Sequence, residues 1–352
     1  MNFSHESLKQ YVSAVLQKVE VPEEDSKITA DSLVSANLRG VDSHGVTRLQ
    51  IYVQRLQSGA INPKPDVKTV QESDSVLVID GDNGLGQVVG AKAMQLGMPK
   101  AKEKGGLYIG VKRSSHFGTG AFFVKQGLEQ DLITYAMSNA PSTMAPWGGK
   151  EPYFGTNPYA YGIPAGSNKP IILDMATSVV ARGKVIMAEK RGETIPEGWA
   201  IDKDGKPTTD SKAALEGSVL PFGGPKGYAI SLMIDVMSGV LTGAGFGPHI
   251  NNIYGDFDKS QNVGHFFQLI DVNKFMPATE FKSRVDQMIN EIKSSAKADG
   301  VEEIFLPGEI EEKIEEDRLK NGIPIPQDVY EEIKQVGEEL GVNIEQYREA
   351  NV

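Results

Sequence analysis

Cysteine is absent from this 352-residue sequence. A disulfide, a thiolate nucleophile and a thiolate-ligated zinc site are therefore excluded. The sequence also lacks any run of the roughly 18–20 apolar residues that a membrane helix needs. Its first residues contain no basic segment followed by an apolar one, so they do not resemble a secretory signal. These absences predict a cytoplasmic protein without a membrane segment.

Histidine and basic clusters are also scarce. The chain has five histidines, and none stands at metal-ligand spacing from another, so we expect no metal site. No stretch interleaves basic with aromatic residues, which argues against a nucleic-acid partner. The formal charge of −11 lies mostly near the C-terminus, because residues 309–352 contain 13 acidic and 5 basic residues, a net −8. We interpret this excess as a solvated helix surface.

The spacing of apolar residues divides the chain into three parts. Residues 1–70 show helical spacing, with Ser4 as a first N-cap and Ser43 as the N-cap of a third helix. Residues 71–304 predict an α/β fold with a central sheet, and residues 305–352 are helical again. The predicted domains are therefore a helical one (1–70 with 305–352) and an α/β one (71–304). Predicted strands cover residues 75–80, 107–111, 132–137, 171–174 and 266–272.

A first candidate site lies at residues 42–48. A helix that begins at Ser43 would place His44, Arg48 and Tyr52 on one face, because they are four residues apart. Free N–H groups at a helix N-terminus favour anions, and the arginine fork suits a carboxylate. The segment thus predicts a carboxylate site, and a solvated face with a capping serine is the alternative.

A second candidate site surrounds His116. This histidine follows a predicted strand and precedes a predicted helix, at the kind of turn where α/β enzymes place active groups. A helix N-terminus disfavours imidazolium, so the ring stays neutral and can accept a proton. A structural histidine that caps the turn is the alternative. Together, the two sites suggest acid–base chemistry on a small anionic substrate.

Two glycine-rich segments resemble nucleotide-binding turns without matching them. Gly84, Gly86 and Gly90 are spaced G-x-G-x-x-x-G, and the next strand lacks the acidic end of a Rossmann unit. The same glycines resemble a methyltransferase loop. Lys226 stands in a second glycine-rich turn at a helix start, which suits phosphate but is not a P-loop. Taken alone, both segments are interpreted as ordinary turns.

Taken jointly, these segments resemble the type-2 malate/L-lactate dehydrogenase family, which includes ureidoglycolate, sulfolactate and 2,3-diketogulonate oxidoreductases. The matching motifs follow the family's order along nearly the whole chain. They cover residues 39–45, 115–118, 154–158, 173–177, 223–228 with 234–241, and 305–309.

The resemblance implies a homodimer with a nicotinamide-binding fold that is not Rossmann. It implies hydride transfer between NAD, or possibly NADP, and the 2-position of a small hydroxy or keto acid. His116 is the implied proton acceptor, and Ser43, His44 and Arg48 are implied to hold the carboxylate end. Because some members are described with the residue matching His44 as the acid–base group, that assignment stays open. The implied cofactor contacts are Ser138, Thr156, Asn157, Asp174, Met175, Ala176, Lys226, Pro307, Gly308 and Glu309.

The expected function is a malate/L-lactate dehydrogenase-type reaction, with ureidoglycolate or sulfolactate dehydrogenase as alternatives. An S-adenosylmethionine-dependent methyltransferase that uses residues 80–86 is an alternative of another class. A non-catalytic scaffold with an acidic tail is a third. Neither a nucleophile nor a metal is required for alcohol oxidation, since the nicotinamide takes the hydride.

Overall fold

A seven-stranded mixed sheet forms the centre of the computed structural model, which describes residues 1–348. Its strand order is β2-β3-β4-β11-β5-β6-β7. Only β3 and β4 are parallel, and every other neighbouring pair in this sheet is antiparallel. The strands are β2 (Lys68–Glu72), β3 (Val76–Asp80), β4 (Gly106–Ser114), β5 (Leu132–Ser138), β6 (Tyr159–Ile163), β7 (Ile171–Met175) and β11 (Val263–Asp271). The prediction of an α/β fold is confirmed.

Helices cover both faces of this sheet. They are α1 (His5–Lys18), α2 (Glu23–Leu38), α3 (Leu49–Gln57), α4 (Gly86–Lys104), α5 (Gly120–Leu128), α6 (Arg182–Arg191), α7 (Ser211–Glu216), α8 (Pro225–Asp235), α9 (Ala278–Ser294), α10 (Glu309–Asn321) and α11 (Gln327–Glu339). Side chains of a strand alternate between faces. Thus Phe267 joins the core under α4 and α5, while Phe266 packs with Ile234 of α8.

A separate apolar core joins the two ends of the chain. It combines α1, α2 and α3 with residues 323–344, and the short strands β1 (Asn2–Phe3) and β12 (Ile323–Pro324) pair antiparallel beside it. Ile333 and Val336 of α11 are buried in this core, which explains the apolar stripe in the sequence. The division into two domains stays a prediction.

A small lobe between β7 and α8 was not predicted from the sequence. Its strands β8 (Ala200–Ile201), β9 (Pro207–Thr208) and β10 (Ser218–Val219) form a three-stranded sheet. Helices α6 and α7 pack there around Met144, Val185 and Ala214. The strands are two residues long, too short for a period-two pattern to reveal.

The predicted helix from Ser43 is wrong. Two single 3₁₀ turns, Asp42–His44 and Val46–Arg48, precede α3, which begins only at Leu49. The cause is Asn37, whose side-chain oxygen accepts a hydrogen bond from the Val46 N–H at 2.8 Å and occupies the space beside Gly45. Any side chain at Gly45 would collide with that amide. His44 and Arg48 therefore do not share a helix face.

Candidate active site

The carboxyl ends of β5 and β7 and the turn after β4 open onto one cavity of about 600 Å³. This volume is typical of pockets for small molecules and cofactors. His44 and His116, contributed by elements far apart in sequence, line this cavity. Residues of the β7 end and of the turn that precedes α10 line it as well. The cavity thus joins the two predicted histidine sites.

The two histidine rings lie against each other, with 5.4 Å between their centroids. Burial lowers the pKa of His44 to about 4, and the Arg48 charge adds to this effect. Burial also holds the pKa of His116 well below its usual value, assisted by His44 and Arg48. Both rings are therefore neutral near pH 7. A neutral imidazole in a cavity is suited to accept a proton.

Helix α4 packs closely against the turn that contains His116, because its first residue, Gly86, has no side chain. A side chain at Gly86, the first residue of α4, would lie 2.2 Å from the Ser115 carbonyl and 2.5 Å from that of His116. The His116 N–H donates to the side-chain oxygen of Gln261 at 3.0 Å. The glycine motif that resembles a dinucleotide turn therefore has a packing role beside the catalytic candidate.

The three carboxylate candidates lie close together, but only Ser43 and His44 line the cavity. Ser43 lines it, and its hydroxyl lies 3.0 Å from His44 Nδ1. Arg48 does not line it, because its Nε donates to the Ser43 carbonyl at 2.7 Å and a terminal nitrogen donates to the Tyr254 hydroxyl. The guanidinium thus stands behind Ser43 and His44, next to Tyr254.

Tyr254 is a site residue that sequence reasoning missed. It stands on an irregular loop that Arg55 holds, since the fully buried Arg55 guanidinium donates to four backbone carbonyls of residues 252–259. No local sequence signal marks such a contact between residues some 200 positions apart. The tyrosine side chain is 57% exposed, so a ligand can reach it.

Most of the predicted cofactor contacts line the same cavity as His44 and His116. They are Ser138, Thr156, Asp174, Met175, Ala176, Pro307 and Gly308. The Asp174 carboxylate accepts a hydrogen bond from the Ala121 N–H at 2.8 Å, at the start of α5. Burial nonetheless raises the pKa of Asp174 to about 6. Below that pH, the Asp174 carboxyl group therefore carries little charge.

Three predicted cofactor contacts do not line this cavity. Asn157 is buried and bridges the Ala140 N–H and the Ser231 carbonyl, so its amide holds α8 to the site wall. Glu309 accepts from Lys293 and from the Leu306 N–H, and it borders a smaller cavity of about 250 Å³. Lys226 is exposed at the start of α8.

His265 is a second residue that sequence reasoning missed. Its two ring nitrogens lie 2.9 Å from the Ser138 hydroxyl and 2.8 Å from the Ser114 hydroxyl. Its ring stacks on that of Phe117, the residue after His116, with 4.7 Å between the ring centroids. Burial lowers its pKa to about 3. His265 is therefore a neutral support under the site, and an apolar stretch of β11 hid it in the sequence.

Residues 1–348 contain neither a cluster of metal-ligating side chains nor a helix that could span a membrane. No three histidine, cysteine, aspartate or glutamate side chains there are grouped so that they could hold a metal ion. No helix in the same range is both long and apolar enough to cross a bilayer.

The fold and the cavity define an α/β enzyme that handles a small ligand beside paired histidines. The sequence model of the malate/L-lactate dehydrogenase family matches residues 3–334, and the chain belongs to this family. Membership confirms the prediction of a 2-hydroxy acid dehydrogenase.

Individual relatives are similar over almost their whole length. L-sulfolactate dehydrogenase of Methanocaldococcus jannaschii is 46% identical over 98% of both chains. Malate dehydrogenase of Pyrococcus horikoshii is 43% identical over 94% of this chain and 93% of its own. The solved structure of the M. jannaschii sulfolactate dehydrogenase superimposes with a TM-score of 0.92, at 45% identity and 99% coverage of each chain.

More distant relatives differ in the cofactor that they use. Ureidoglycolate dehydrogenase (NAD(+)) of Escherichia coli O157:H7 is 34% identical over 94% of each chain. A (2R)-3-sulfolactate dehydrogenase (NADP(+)) of Chromohalobacter salexigens is 38% identical over 74% of this chain and 78% of its own. A nicotinamide dinucleotide is therefore the cofactor type of these relatives, in both of its forms.

Proposed function

We propose that this chain oxidises a small 2-hydroxy acid with a second anionic group, such as malate or sulfolactate, using a nicotinamide dinucleotide. One observation carries the proposal. His44 and His116 line a cavity of about 600 Å³ that seven of the ten predicted cofactor contacts line as well. Substrate and cofactor would therefore meet beside two neutral imidazoles. The similarity to malate and sulfolactate dehydrogenases supports this substrate class.

His116 is proposed as the proton acceptor. Its Nδ1 lies 2.7 Å from the Tyr52 hydroxyl, so Nε2 is the ring nitrogen left for a ligand. Oxidation of a secondary alcohol removes the hydroxyl proton and a hydride from the same carbon, and the bound nicotinamide would supply the hydride acceptor. His116 Nε2 takes the hydroxyl proton, and the imidazole ring becomes imidazolium. Burial disfavours that charge, so the substrate's negative charge is needed close by.

Substrate binding is proposed for Ser43, His44 and Arg48. His44 shares a hydrogen bond with the Ser43 hydroxyl, which leaves its Nε2 for a substrate oxygen. Arg48 lies behind both and supplies the positive charge that a carboxylate or sulfonate requires. The exposed Tyr254 hydroxyl, already in contact with Arg48, would complete this anion site.

The cofactor is proposed to bind without a Rossmann fold. The central sheet has only one parallel pair, whereas a Rossmann unit is built from parallel strands. NAD is the proposed form, with NADP as the alternative. The charged side chains of the cavity support NAD. Arg39 lines the cavity, but Glu315 at 3.3 Å and Glu312 at 3.8 Å already pair with its guanidinium. Glu311 also lines the cavity, and its negative charge would repel the 2′-phosphate of NADP.

A homodimer is also part of the proposal. Apolar side chains are exposed along one face of α8 and the π-helical turn that continues it: Met233, Val236, Val240 and Leu241, between 41% and 62% exposed. The exposed Tyr108 and Tyr161 lie on the sheet. A contiguous apolar surface of this kind usually marks an interface. Leu241→Glu should dissociate the dimer in sedimentation experiments, and a monomeric wild type would contradict the assignment.

A substrate panel tests the proposed function. Purified protein is mixed with malate, sulfolactate, lactate and ureidoglycolate, each with NAD and with NADP, and reduced nicotinamide is followed by its absorbance. Malate or sulfolactate with NAD should give the largest kcat/KM. Thermal shift with S-adenosylmethionine is the control for the methyltransferase alternative, since a ligand that binds the native state raises Tm. Stabilisation by that ligand, without any turnover in the panel, would contradict the proposal.

A further inference from the structure

Two buried polar side chains stand behind His116, away from the cavity. The Tyr52 hydroxyl lies 2.7 Å from His116 Nδ1, and the Gln87 side-chain amide lies 2.8 Å from the same hydroxyl. Both side chains are almost completely buried, at 1% and 0% exposure. The Gln87 Oε1 atom has no hydrogen-bond partner among the described residues. A buried acceptor without a partner is rare and calls for an explanation.

The chemistry of a histidine base determines the direction of these hydrogen bonds. Before it accepts a proton at Nε2, a neutral imidazole carries its hydrogen on Nδ1. After it has accepted, both nitrogens carry hydrogens. His116 Nδ1 therefore donates in both states, and the Tyr52 oxygen must accept in both. The tyrosine hydrogen then needs another acceptor.

Gln87 provides that acceptor. The two ends of a glutamine amide have almost the same shape, so a half-turn exchanges oxygen and nitrogen without moving other atoms. In the structure Nε2 is the amide atom next to the Tyr52 hydroxyl. After the half-turn, Oε1 takes this place and can accept the hydroxyl hydrogen, and Nε2 moves to the position that has no partner among the described residues. Burial also raises the pKa of the Tyr52 phenol, so its hydrogen stays in place.

We propose that Gln87 and Tyr52 are positioning residues that fix His116 in the Nδ1–H form: Gln87 Oε1 accepts from the Tyr52 hydroxyl, and the Tyr52 oxygen accepts from His116 Nδ1. His116 Nε2 is thereby kept free of hydrogen and directed at the cavity. The inference rests on the proposed function for the role of His116 as the base that accepts the substrate proton at Nε2.

The pH dependence follows from the groups that face His116. These are Arg48, whose positive charge opposes imidazolium, His44 and His265, which would oppose it only when protonated, and Tyr52, whose oxygen stabilises it. Removing the Tyr52 hydroxyl removes the one favourable partner. Tyr52→Phe should therefore shift the acid limb of the kcat/KM profile to lower pH, because imidazolium forms less readily.

The kinetic experiment compares Tyr52→Phe with Tyr11→Phe. Tyr11 is equally buried in the same helical core, and its hydroxyl donates to the Ile333 carbonyl, far from the cavity. Both variants lose one buried hydroxyl, so both should lose thermal stability. Only Tyr52→Phe should lower kcat, by about 10- to 100-fold, which is typical for loss of a partner that orients a histidine. KM values for acid and dinucleotide should stay within about threefold, since the buried Tyr52 side chain does not line the cavity.

Gln87 supplies a second pair of variants. Gln87→Leu removes the acceptor and should reproduce the kcat loss and the pH shift of Tyr52→Phe. Gln87→Glu keeps an oxygen that accepts from Tyr52, so it should retain most of the activity. Wild-type kcat and pH profile in both Tyr52→Phe and Gln87→Leu would overturn the inference, and so would equal losses in Gln87→Leu and Gln87→Glu.

Nitrogen-15 spectra of labelled histidine test the inference without turnover. The His116 resonances, assigned by their loss in His116→Asn, should show a hydrogen on Nδ1 and none on Nε2 in wild type at pH 7. Tyr52→Phe should show a mixture of both forms. A hydrogen on Nε2 in wild type would overturn the inference. Failure of the substrate panel would instead overturn the proposed function, and the spectra would still decide the tautomer.

Discussion

At the scale of single residues, the account depends on two histidines whose environments differ. His116 has a buried tyrosine behind its Nδ1, whereas His44 has the exposed Ser43 hydroxyl at that position. The fixed partner gives His116 one orientation, and a base must be held within hydrogen-bond reach of the proton it removes. His44 keeps a rotatable partner, which suits a substrate ligand. The structure therefore favours His116 as the base.

The first prediction separates these two roles. His116→Asn should reduce kcat by at least ~10²-fold, the lower range for loss of a general base, with little change in dinucleotide affinity. His44→Asn should mainly raise KM for the acid, because it removes a ligand of the substrate. Steady-state kinetics of both variants provide the measurement. If His44→Asn abolishes turnover while His116→Asn remains active, the roles are exchanged.

The second prediction concerns stability at acidic pH. The folded-state pKa of His44, about 4, lies below its ordinary value of 6.5, so the folded protein binds fewer protons than the unfolded chain between these values. The contribution of His44 to the free energy of unfolding is complete above pH 6.5 and is lost as the pH falls towards 4. In urea titrations, His44→Asn should show a shallower loss of stability over this interval. The same pH dependence of the free energy of unfolding in wild type and His44→Asn would contradict the burial of the His44 ring.

The third prediction concerns Arg48. Arg48→Lys keeps the charge but loses the fork that reaches the Ser43 carbonyl and Tyr254 together, so selection for the acid should weaken. Arg48→Ala should cost about 2–4 kcal/mol in kcat/KM, since a charged hydrogen bond and its positioning are both lost. The fold should survive because Leu49 and Val53 still anchor α3. An unchanged preference for an acid over its amide in Arg48→Ala would exclude a carboxylate role.

At the scale of elements, α10 holds the turn that contains Ser43 and His44. Arg318 of α10 forms two hydrogen bonds with the Asp42 carboxylate, at 2.7 and 3.1 Å, and also donates to the Asn37 carbonyl. The Arg318 side chain is 13% exposed and the Asp42 side chain 40%, so the pair is partly shielded from water. The C-terminal region thus supports a site near the N-terminus.

The fourth prediction tests this support. Arg318→Ala should destabilise the protein by about 1–3 kcal/mol, because it leaves a partly buried carboxylate and carbonyl without their donor. It should also lower kcat/KM, because the turn before His44 loses its anchor. Lys169→Ala is the matched control: its ammonium also pairs with α10, at Glu312 and Glu316, but is 60% exposed. An exposed pair contributes at most about 1 kcal/mol. Equal effects of the two variants would exclude the anchoring role.

Sequence reasoning predicted the elements whose apolar pattern is local. It failed where contacts between residues far apart in sequence determine the structure. The five predicted strands match β3, β4, β5, β7 and β11 within about three residues, because each is a short run rich in apolar residues. The helix predicted from Ser43 failed, since the Asn37 amide reaches in from α2. Distant contacts such as those of Arg55 and His265 leave no periodic signal either.

At the scale of the whole molecule, the candidate site exists only because several distant segments meet. His44, His116, Asp174 and Pro307 line one cavity, although more than 260 residues separate the first from the last. Sequence motifs predicted which residues belong to the site, and the resemblance to a family predicted their roles. Neither provided the Tyr52–Gln87 pair, because its members are 35 residues apart and buried.

The central claim is hydride transfer from the 2-carbon of the acid, and isotope transfer tests it most directly. Malate and sulfolactate deuterated at the 2-carbon are incubated with the protein and NAD, and the reduced dinucleotide is analysed by mass spectrometry. The account predicts one deuterium in each reduced nicotinamide, and loss of this product in His116→Asn. Deuterium released to water, with no labelled dinucleotide, would contradict it.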